Sequence, residues 1–341
     1  MSSLSIVIPT YNRADKLLRL LGNIETELAN CRMADQVQIL VSDNASTDDT
    51  QTKVASFRSQ QFGLNYFRQE RNIGFDGNVR FLYEVAKTDY VWFFSDDDIL
   101  LPGAISTVLK GLTTIKPDVL LFSFIQPMGS KIRTFDFPDQ FAYITDAKEI
   151  IRTFARCSKV SQYVCRKIEL NELQRKELEP FYENGFFWLD LCFSILSTRD
   201  IPSLCIISEP LASCDQEFHN IRFGPSVFLR SYTVYKHPYV CVHLPKMAAE
   251  YQISAYYDAI QLMFAVKLGS LISDEPSLFE KEIKSFRFMP SALTKNPRAL
   301  MQLLLLKLRL VYLYRAYKKI LNFFTQSAQE QLLHYPKDEH F

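Results

Sequence analysis

The sequence lacks the marks of several common classes of protein. Its seven cysteines include no Cys-x-x-Cys pair, so they indicate neither a zinc site nor a disulfide framework, and we expect a reducing, cytoplasmic setting. No uncharged apolar stretch approaches the ~20 residues that a membrane span needs. The chain opens without the charged and apolar segments of a secretory signal, and we expect none.

Two nucleotide-binding signatures are also absent. The glycines form no Gly-x-Gly-x-x-Gly pattern, and no glycine is followed by lysine, so a Rossmann dinucleotide site and a P-loop are both disfavoured. The net charge is only +1, which gives the chain no general attraction to nucleic acid.

A regular alternation fills the first half of the chain. Apolar runs typical of buried strands lie at residues 5–8, 37–41, 64–67, 90–94 and 118–124. Helical patterns lie at residues 14–29, 48–60, 77–87 and 103–115. Alternation of this kind predicts an α/β fold with a mainly parallel sheet covered by helices on both faces. Beyond an irregular stretch at 126–145, we expect helices at 146–157 and 169–178, a short β-run at 160–164 and a strand at 203–208.

Three consecutive carboxylates, Asp96, Asp97 and Asp98, follow the apolar run at 90–94. Adjacent carboxylates repel one another unless a positive charge lies among them. Mg²⁺ and Mn²⁺ commonly bind a few carboxylates together with phosphate oxygens, so the triplet points to a nucleotide-diphosphate site. The alternative is an acidic turn that caps the next helix.

Polar residues also follow the first two strands, at Thr10–Asn12 and at Asp43–Asn44. The carboxyl ends of parallel strands meet at one edge of an α/β sheet, where ligands bind, so we expect both groups to lie beside the acidic triplet. Taken singly, the first is also explained as a strand-to-helix turn and the second as a helix-capping cluster. A third polar turn, Arg71–Asn78, contains glycines that permit close backbone approach to a ligand.

Four motifs therefore occur in order: Ile6–Asn12, Val41–Asp48, Arg71–Gly74, and Ser95–Asp98 with Pro102 and Gly103 behind it. Together they resemble the family 2 glycosyltransferases of the GT-A fold, in particular bacterial enzymes that decorate surface polysaccharides. The phrase Arg71–Asn78 is similar to abequosyltransferase-type enzymes of O-antigen assembly. The resemblance covers residues 4–125 specifically and 126–225 weakly. It implies a GT-A domain at residues 1–225, followed by a helical region at 226–341.

The resemblance also implies an activity and its ligands. The enzyme would move a sugar, with inversion, from a nucleotide-diphosphate donor to a hydroxyl of a glycan, which a polyprenyl diphosphate could carry, with the help of Mn²⁺ or Mg²⁺. Donor binding falls on residues of the four motifs, of the phrase Arg71–Asn78 and of a later loop: Pro9, Thr10, Tyr11, Asn12, Asp43, Asn44, Asn72, Gly74, Asn78, Asp96 and Arg222.

The acidic motif departs from the family pattern. With Pro102 as the anchor, Ser95 stands where the family has its first carboxylate, and Asp97 falls on the usual metal ligand. Asp96 and Asp98 lie beside it as further candidate ligands, so the metal is held either with Asp96 as a substitute or by fewer protein ligands.

An inverting transferase needs a general base for the acceptor hydroxyl. The resemblance implies Asp190, in the aromatic sequence Phe187–Leu191, and Glu183 is the fallback. The plainer interpretation of Asp190 is a helix-capping acid. In the loop at 214–225, Arg222 suits a phosphate contact, and His219 is either a further metal ligand or simply solvated.

Residues 292–329 contain seven cations and no acid: Lys295, Arg298, Lys307, Arg309, Arg315, Lys318 and Lys319. Within them, 299–324 predicts a basic amphipathic helix, which we expect to lie on the inner leaflet of the cytoplasmic membrane near the acceptor. A core or dimer-forming helix with basic edges is the alternative. Two other functions also stay open: a nucleotide-sugar-binding protein without turnover, and a membrane-associated scaffold.

Overall fold

The computed structural model describes residues 2–125, 135, 137–155, 157, 159–179, 185–214, 237–246 and 248. The chain divides into two compact units, and these residues belong to the one made of 1–222 and 230–249. The other unit, 223–229 and 250–341, lies outside the described residues, as does the predicted helix at 299–324. The predicted division at residue 225 stays a prediction.

Nine strands in the described residues form one sheet. They are β1 Leu4–Thr10, β2 Val37–Asp43, β3 Leu64–Arg68, β4 Tyr90–Phe93, β5 Asp98–Leu100, β6 Val119–Ile125, β7 Phe141–Ile144, β8 Val164–Arg166 and β9 Leu204–Cys214. The helices are α1 Ala14–Ala29, α2 Thr50–Ser56, α3 Gly74–Val85, α4 Ala104–Ile115, α5 Ala147–Phe154, α6 Glu172–Leu178, α7 Phe187–Ser197 and α8 Pro238–His243, with 3₁₀ turns at Ala34–Gln36 and Val160–Gln162.

The sheet runs in the order β3-β2-β1-β4-β8-β6-β9-β5, and β7 pairs with β9. Its first four strands are parallel, because each is joined to the next by a helix that crosses back over the sheet. The second half is mixed: β8 runs antiparallel between β4 and β6, and β9 pairs in parallel with β6 but antiparallel with β5 and β7. The mainly parallel part thus coincides with the part that alternates regularly in sequence.

Side-chain alternation along the central strands builds a core on each face of the sheet. In β1, Ile6 and Ile8 pack with α1 and α4, whereas Val7 packs with α3, α5 and α7 on the other face. Helix α1 spans the residues predicted for it, because its leucines recur at helical spacing and are buried. Both faces of the sheet are therefore covered, and its carboxyl edge is left for polar groups.

Several elements differ from the sequence expectation. The β-run predicted at 160–164 is a 3₁₀ turn, Val160–Gln162, followed by β8, and β9 extends six residues beyond the strand predicted at 203–208. The irregular stretch at 126–145 contains β7, and the acidic triplet leads directly into β5. The short strands were missed because they owe their conformation to pairing with β9 rather than to a local pattern. Within the described part of the chain, no helix is long and apolar enough to cross a membrane.

Candidate active site

The ends of three parallel strands meet at one edge of the sheet. β1 lies between β2 and β4, and Thr10 at the end of β1 is in register with Asp43 at the end of β2. The backbone N–H of Asn44 donates to the carbonyl of Thr10 at 2.9 Å, so the ladder continues one residue past β2. The acidic triplet follows β4 at the same edge. The sequence expectation that these polar turns are neighbours agrees with this topology.

Arg13 joins two carboxylates of the triplet. Its Nη1 lies 2.8 Å from Oδ1 of Asp96 and 2.8 Å from Oδ2 of Asp97. The hydroxyl of Thr10 donates to the other oxygen of Asp96 at 2.7 Å, and the hydroxyl of Ser95 donates to the other oxygen of Asp97 at 2.5 Å. All four oxygens of this carboxylate pair therefore have a donor.

These contacts determine the electrostatics of the pair. Burial raises the pKa of Asp96, and the charge of Arg13 acts against that rise. Burial lowers the pKa of Arg13, but the charges of Asp96 and Asp97 outweigh it and the pKa is raised overall. Arg13 is thus a permanent cation between two carboxylates, of which Asp96 is 3% exposed and Asp97 9% exposed.

The third carboxylate, Asp98, has different partners. It begins β5, and its Oδ2 accepts a hydrogen bond of 2.5 Å from the hydroxyl of Ser161. Burial, and then the charge of Asp97, raises the pKa of Asp98 to about 7. The same Ser161 hydroxyl accepts from the backbone N–H of Ser95 at 3.0 Å, so this serine holds both ends of the acidic motif. Asp98 is therefore anchored to the 3₁₀ turn at Val160–Gln162 rather than to the Arg13 cluster.

The fit of a divalent cation at this motif can be tested on its donor set. The carboxylates of Asp96 and Asp97 are hard oxygen ligands of the type that Mg²⁺ and Mn²⁺ prefer. Their charge, however, is already shared with Arg13, and no group of three or more metal-ligating side chains occurs in the described part of the chain. A divalent ion fits this pair if Arg13 releases at least one of the two carboxylates.

Asp43 is fully buried and surrounded by donors. The hydroxyl of Tyr66 donates to its Oδ2 at 2.6 Å, and Nη1 of Arg68 does so at 3.1 Å. Its Oδ1 accepts from the backbone N–H of Ser46 at 2.7 Å. Burial, reinforced by the hydrogen bond and charge of Asp43, raises the pKa of Tyr66, so the tyrosine remains a donor at neutral pH. Both aromatic and cationic partners come from β3, whose polar residues the sequence reasoning passed over.

Asn12 ties the first turn to the second. It has a positive φ of 52°, a conformation in which asparagine is tolerated better than most residues. Its side-chain oxygen accepts from the backbone N–H of Thr47 at 2.7 Å, and its own N–H donates to the hydroxyl of Ser46 at 2.9 Å. The neighbouring Tyr11 is 42% exposed, so its ring is available to a ligand. Pro9 lies inside β1 in register with Ser42.

Asn44 and Asn78 bring the third turn to the same edge. The amide of Asn44 donates to the side-chain oxygen of Asn72 at 2.9 Å and to the carbonyl of Gly74 at 3.1 Å, and it accepts from the backbone N–H of Ile73 at 2.8 Å. Gly74 has φ of 77°, and a side chain there would be strained. Asn78 donates to the carbonyl at position 42 at 2.8 Å, while its Oδ1 is buried with no hydrogen-bond partner among the described residues.

Asp76 links this turn to α7, and it was not among the site residues predicted from the sequence. Its carboxylate accepts from the backbone N–H groups of Gly185, at 2.5 Å, and of Phe187, at 3.2 Å. These donors belong to the start of α7, where N–H groups lack partners within the helix. Asp76 and Phe187 are 111 residues apart in sequence, which is why neither signals the other.

Asp190 lies in the first turn of α7 and has no exposed surface. Aromatic rings gather around the same helix end: Trp188 packs against Phe75 at 5.8 Å and against Phe186 at 5.1 Å between ring centroids. Phe75 is 43% exposed, so part of this cluster faces solvent. The aromatic surroundings expected for Asp190 are present, and its role stays a prediction.

The remaining candidates fall elsewhere. Arg222, His219 and Glu183 lie outside the described residues. His237 is buried, with its Nε2 3.1 Å from the hydroxyl of Ser194, and burial lowers its pKa to about 4. Its Nδ1 accepts from the backbone N–H of Tyr239 at the start of α8, so this histidine has a structural role.

The architecture is similar to solved structures of TarS from S. aureus. The structure of TarS 1-349 in complex with UDP-GlcNAc superposes with a TM-score of 0.53 at 15% identity, over 82% of this chain and 87% of that one. A longer TarS structure gives 0.52 at 15% identity, over 82% and 52% respectively. At such identities the likeness concerns the fold alone. The GT-A fold class predicted from the sequence is confirmed.

Residues 5–154 match the family model for Glycosyl transferase family 2, which confirms the resemblance predicted from the four motifs. Abequosyltransferase RfbV of Salmonella typhimurium is 33% identical over 119 residues, 35% of this chain and 34% of that protein. The GalNAc(5)-diNAcBac-PP-undecaprenol beta-1,3-glucosyltransferase of Campylobacter jejuni is 32% identical over 111 residues, 32% of this chain and 34% of that protein. The matched segment thus spans about a third of these curated relatives.

Proposed function

We propose that the protein is an inverting glycosyltransferase that moves a sugar from a nucleotide-diphosphate donor to a hydroxyl of a bacterial surface glycan. The observation that carries this proposal is a continuous network of contacts along the carboxyl edge of the sheet. It runs from Asp96 through Thr10 and Asn44 to the start of α3, and from Asp76 to the start of α7. A donor lying along this edge would be within reach of the residues that the motifs assign to it.

The relatives support the substrate class. One is named for transfer of abequose, and the other for a glucose added to an undecaprenol-linked glycan. We therefore propose a polyprenyl-diphosphate-linked acceptor at the inner face of the membrane. The basic segment 292–329 would hold the enzyme there, since each cation near an anionic leaflet contributes ~1 kcal/mol.

The proposed donor contacts use groups that differ in exposure. The exposed ring of Tyr11 would stack on the nucleobase, as aromatic rings do in many nucleotide sites. The buried carboxylate of Asp43, oriented by Tyr66 and Arg68, would accept from the base or the ribose. The unpartnered Oδ1 of Asn78 would accept from a sugar hydroxyl, which would satisfy a buried polar atom.

Mn²⁺ or Mg²⁺ would be held by Asp96 and Asp97, with Asp98 behind them, and when bound would supply positive charge to the departing diphosphate. Arg222, in the later loop, would add a planar donor fork to the same phosphates. Asp190 would take the proton of the acceptor hydroxyl as that oxygen attacks the anomeric carbon from the face opposite the diphosphate.

One observation favours a second candidate, a nucleotide-sugar-binding protein without turnover. Asp190 is wholly buried, so an acceptor hydroxyl reaches it only when its surroundings open locally. If those surroundings never open, Asp190 has a structural role, and the donor site would bind a nucleotide sugar without transferring it.

Measuring sugar transfer by matched aspartate variants distinguishes the transferase from the binding protein. A thermal-shift screen of nucleoside diphosphates, with and without Mn²⁺, first identifies the base, because a ligand of the native state raises its apparent stability. Release of nucleoside diphosphate is then followed with a polyprenyl-linked glycan acceptor. We expect Asp190→Asn to lose at least 100-fold in kcat, while Asp200→Asn, at an exposed position beyond the end of α7, keeps wild-type activity. Binding without transfer by the wild-type protein would instead support the second candidate.

A further inference from the structure

Arg13 holds a position that the proposed function does not explain. A single nitrogen, Nη1, lies 2.8 Å from one oxygen of Asp96 and 2.8 Å from one oxygen of Asp97. A cation that bridges two carboxylates in this way occupies the position between them that a divalent ion would take. We propose that Arg13 is the resident counter-cation of the acidic motif and competes with divalent metal for Asp96 and Asp97.

The charge balance supports competition rather than cooperation. Ser95 contributes a neutral hydroxyl to Asp97, so Arg13 and the two carboxylates together carry a formal charge of −1. A divalent ion added to this group would face the guanidinium at close range. Like charges at such distances repel strongly where water is scarce, and both carboxylates are nearly buried. Metal entry therefore requires that Arg13 release at least one of the two carboxylates.

The structure also provides a way for Arg13 to leave. The arginine precedes the first turn of α1 at its N-cap position, and its side chain is 43% exposed. A side chain with this exposure can rotate away from the carboxylates into solvent. Asp96 and Asp97 keep their hydrogen bonds from Thr10 and Ser95 meanwhile, so the carboxylates stay in position for an incoming ion.

This inference concerns metal affinity, so its test needs neither donor nor acceptor. Mn²⁺ binding to the purified full-length protein is measured by the electron paramagnetic resonance of free Mn²⁺. We expect Arg13→Gln to bind Mn²⁺ at least tenfold more tightly than the wild type, since a unit positive charge within a few ångströms has been removed. Arg13→Lys keeps the charge and should stay within threefold of the wild type.

Two controls define the site. Arg32→Gln removes the same charge from an exposed position beyond the far end of α1, ~24 Å away along a helix of 16 residues, and should leave the affinity unchanged. Asp97→Asn placed on Arg13→Gln should abolish the gain. Equal or weaker Mn²⁺ binding by Arg13→Gln overturns the proposal, and so does a tenfold gain in Arg13→Lys or an absence of binding in both proteins.

A second measurement uses the wild-type protein, in case Arg13→Gln does not fold. Crystals soaked in MnCl₂ are examined for anomalous scattering at the acidic motif. Manganese on Asp97, with Arg13 moved off at least one carboxylate, supports the proposal that metal displaces Arg13. Manganese on Asp97 with Arg13 still bridging both carboxylates contradicts it, as does a soaked crystal without manganese there. Neither test measures sugar transfer. Both results can therefore be interpreted even if the proposed function is wrong.

Discussion

The carboxylate of Asp76, in the first turn of α3, accepts a hydrogen bond from the backbone N–H of Phe187, in the first turn of α7. The same carboxylate accepts from Gly185, so one side chain fastens the start of α7 to the start of α3. The two helices carry different parts of the proposed site, Asn78 on the donor side and Asp190 on the acceptor side. Asp76 therefore connects the helix that carries Asn78 to the helix that carries Asp190.

Replacement of Asp76 should affect transfer more than donor binding. We expect Asp76→Ala to lower the free energy of unfolding by about 1–2 kcal/mol, the usual effect of losing a capping carboxylate. It should also lower kcat at least tenfold, because small displacements of a catalytic group are costly, while the donor KM changes less than threefold. Asp76→Asn keeps one acceptor oxygen and should recover part of kcat.

Asp146 offers a matched control for that experiment. It caps α5 by accepting from the backbone N–H of Glu149 at 2.9 Å, and no predicted site residue lies on that helix. Asp146→Ala should cost similar stability with kcat unchanged. If both alanine variants lower kcat equally, Asp76 acts through general stability and not through α7.

Tyr11 should contribute to donor affinity and not to stability. Stacking of a base on an aromatic ring is worth about 1–3 kcal/mol, so Tyr11→Ala should raise the donor KM roughly 5- to 160-fold. Because the ring is 42% exposed, the melting temperature should stay within a degree or two, and Tyr11→Phe should behave as wild type. Tyr143→Ala removes a ring that is 57% exposed on β7 and should change neither quantity. A melting temperature that falls in Tyr11→Ala with KM unchanged would assign the residue to the scaffold.

His237 should make the fold sensitive to acid. Burial lowers its pKa to about 4, against an ordinary value of 6.5, so between these pH values the unfolded chain binds more protons than the native protein. Stability from this residue is complete above pH 6.5 and is lost as the pH falls toward 4, with a total on the order of 3 kcal/mol.

The measurement must separate His237 from Asp98. The pKa of Asp98 is raised to about 7, so its protonation stabilises the native state as the pH falls and acts in the opposite direction. Urea unfolding of the wild type and of His237→Gln at pH 4.5, 5.5, 6.5 and 7.5 isolates the histidine by difference. We expect the stability difference between the two proteins to shrink toward low pH, and a constant difference would contradict the prediction.

The basic segment at 292–329 should bind anionic membranes, although it lies outside the described residues. A variant with glutamine at four of these cations, Lys307, Arg315, Lys318 and Lys319, loses about 4 kcal/mol of attraction at ~1 kcal/mol each. Its binding constant for anionic vesicles, measured by flotation, should fall at least 100-fold. A variant with the same charge change at exposed lysines elsewhere (Lys87, Lys110, Lys116 and Lys148) should float like the wild type. Equal flotation of the two variants would favour a protein interface for this segment.

The features predicted successfully are those written in local patterns. Apolar periodicity gave the bounds of α1 to the residue, and the alternation of strands and helices gave the parallel half of the sheet. That Thr10 and Asp43 lie side by side also followed, because parallel strands with crossover helices end at the same edge. The short strands β5 and β7 did not follow, because a run of three or four residues contains too little pattern to be distinguished from a turn.

The sequence by itself determined the likeness to family 2, the fold class and the polar turns at the carboxyl edge of the sheet, since each is set by residues near one another in the chain. Only the tertiary structure decided which polar groups form hydrogen bonds or ion pairs with one another. Arg13 with Asp97, Tyr66 with Asp43 and Asp76 with Phe187 are pairs separated by 84, 23 and 111 residues. Such pairs depend on the distances between strand ends and helix starts in three dimensions, and no local spacing encodes those distances.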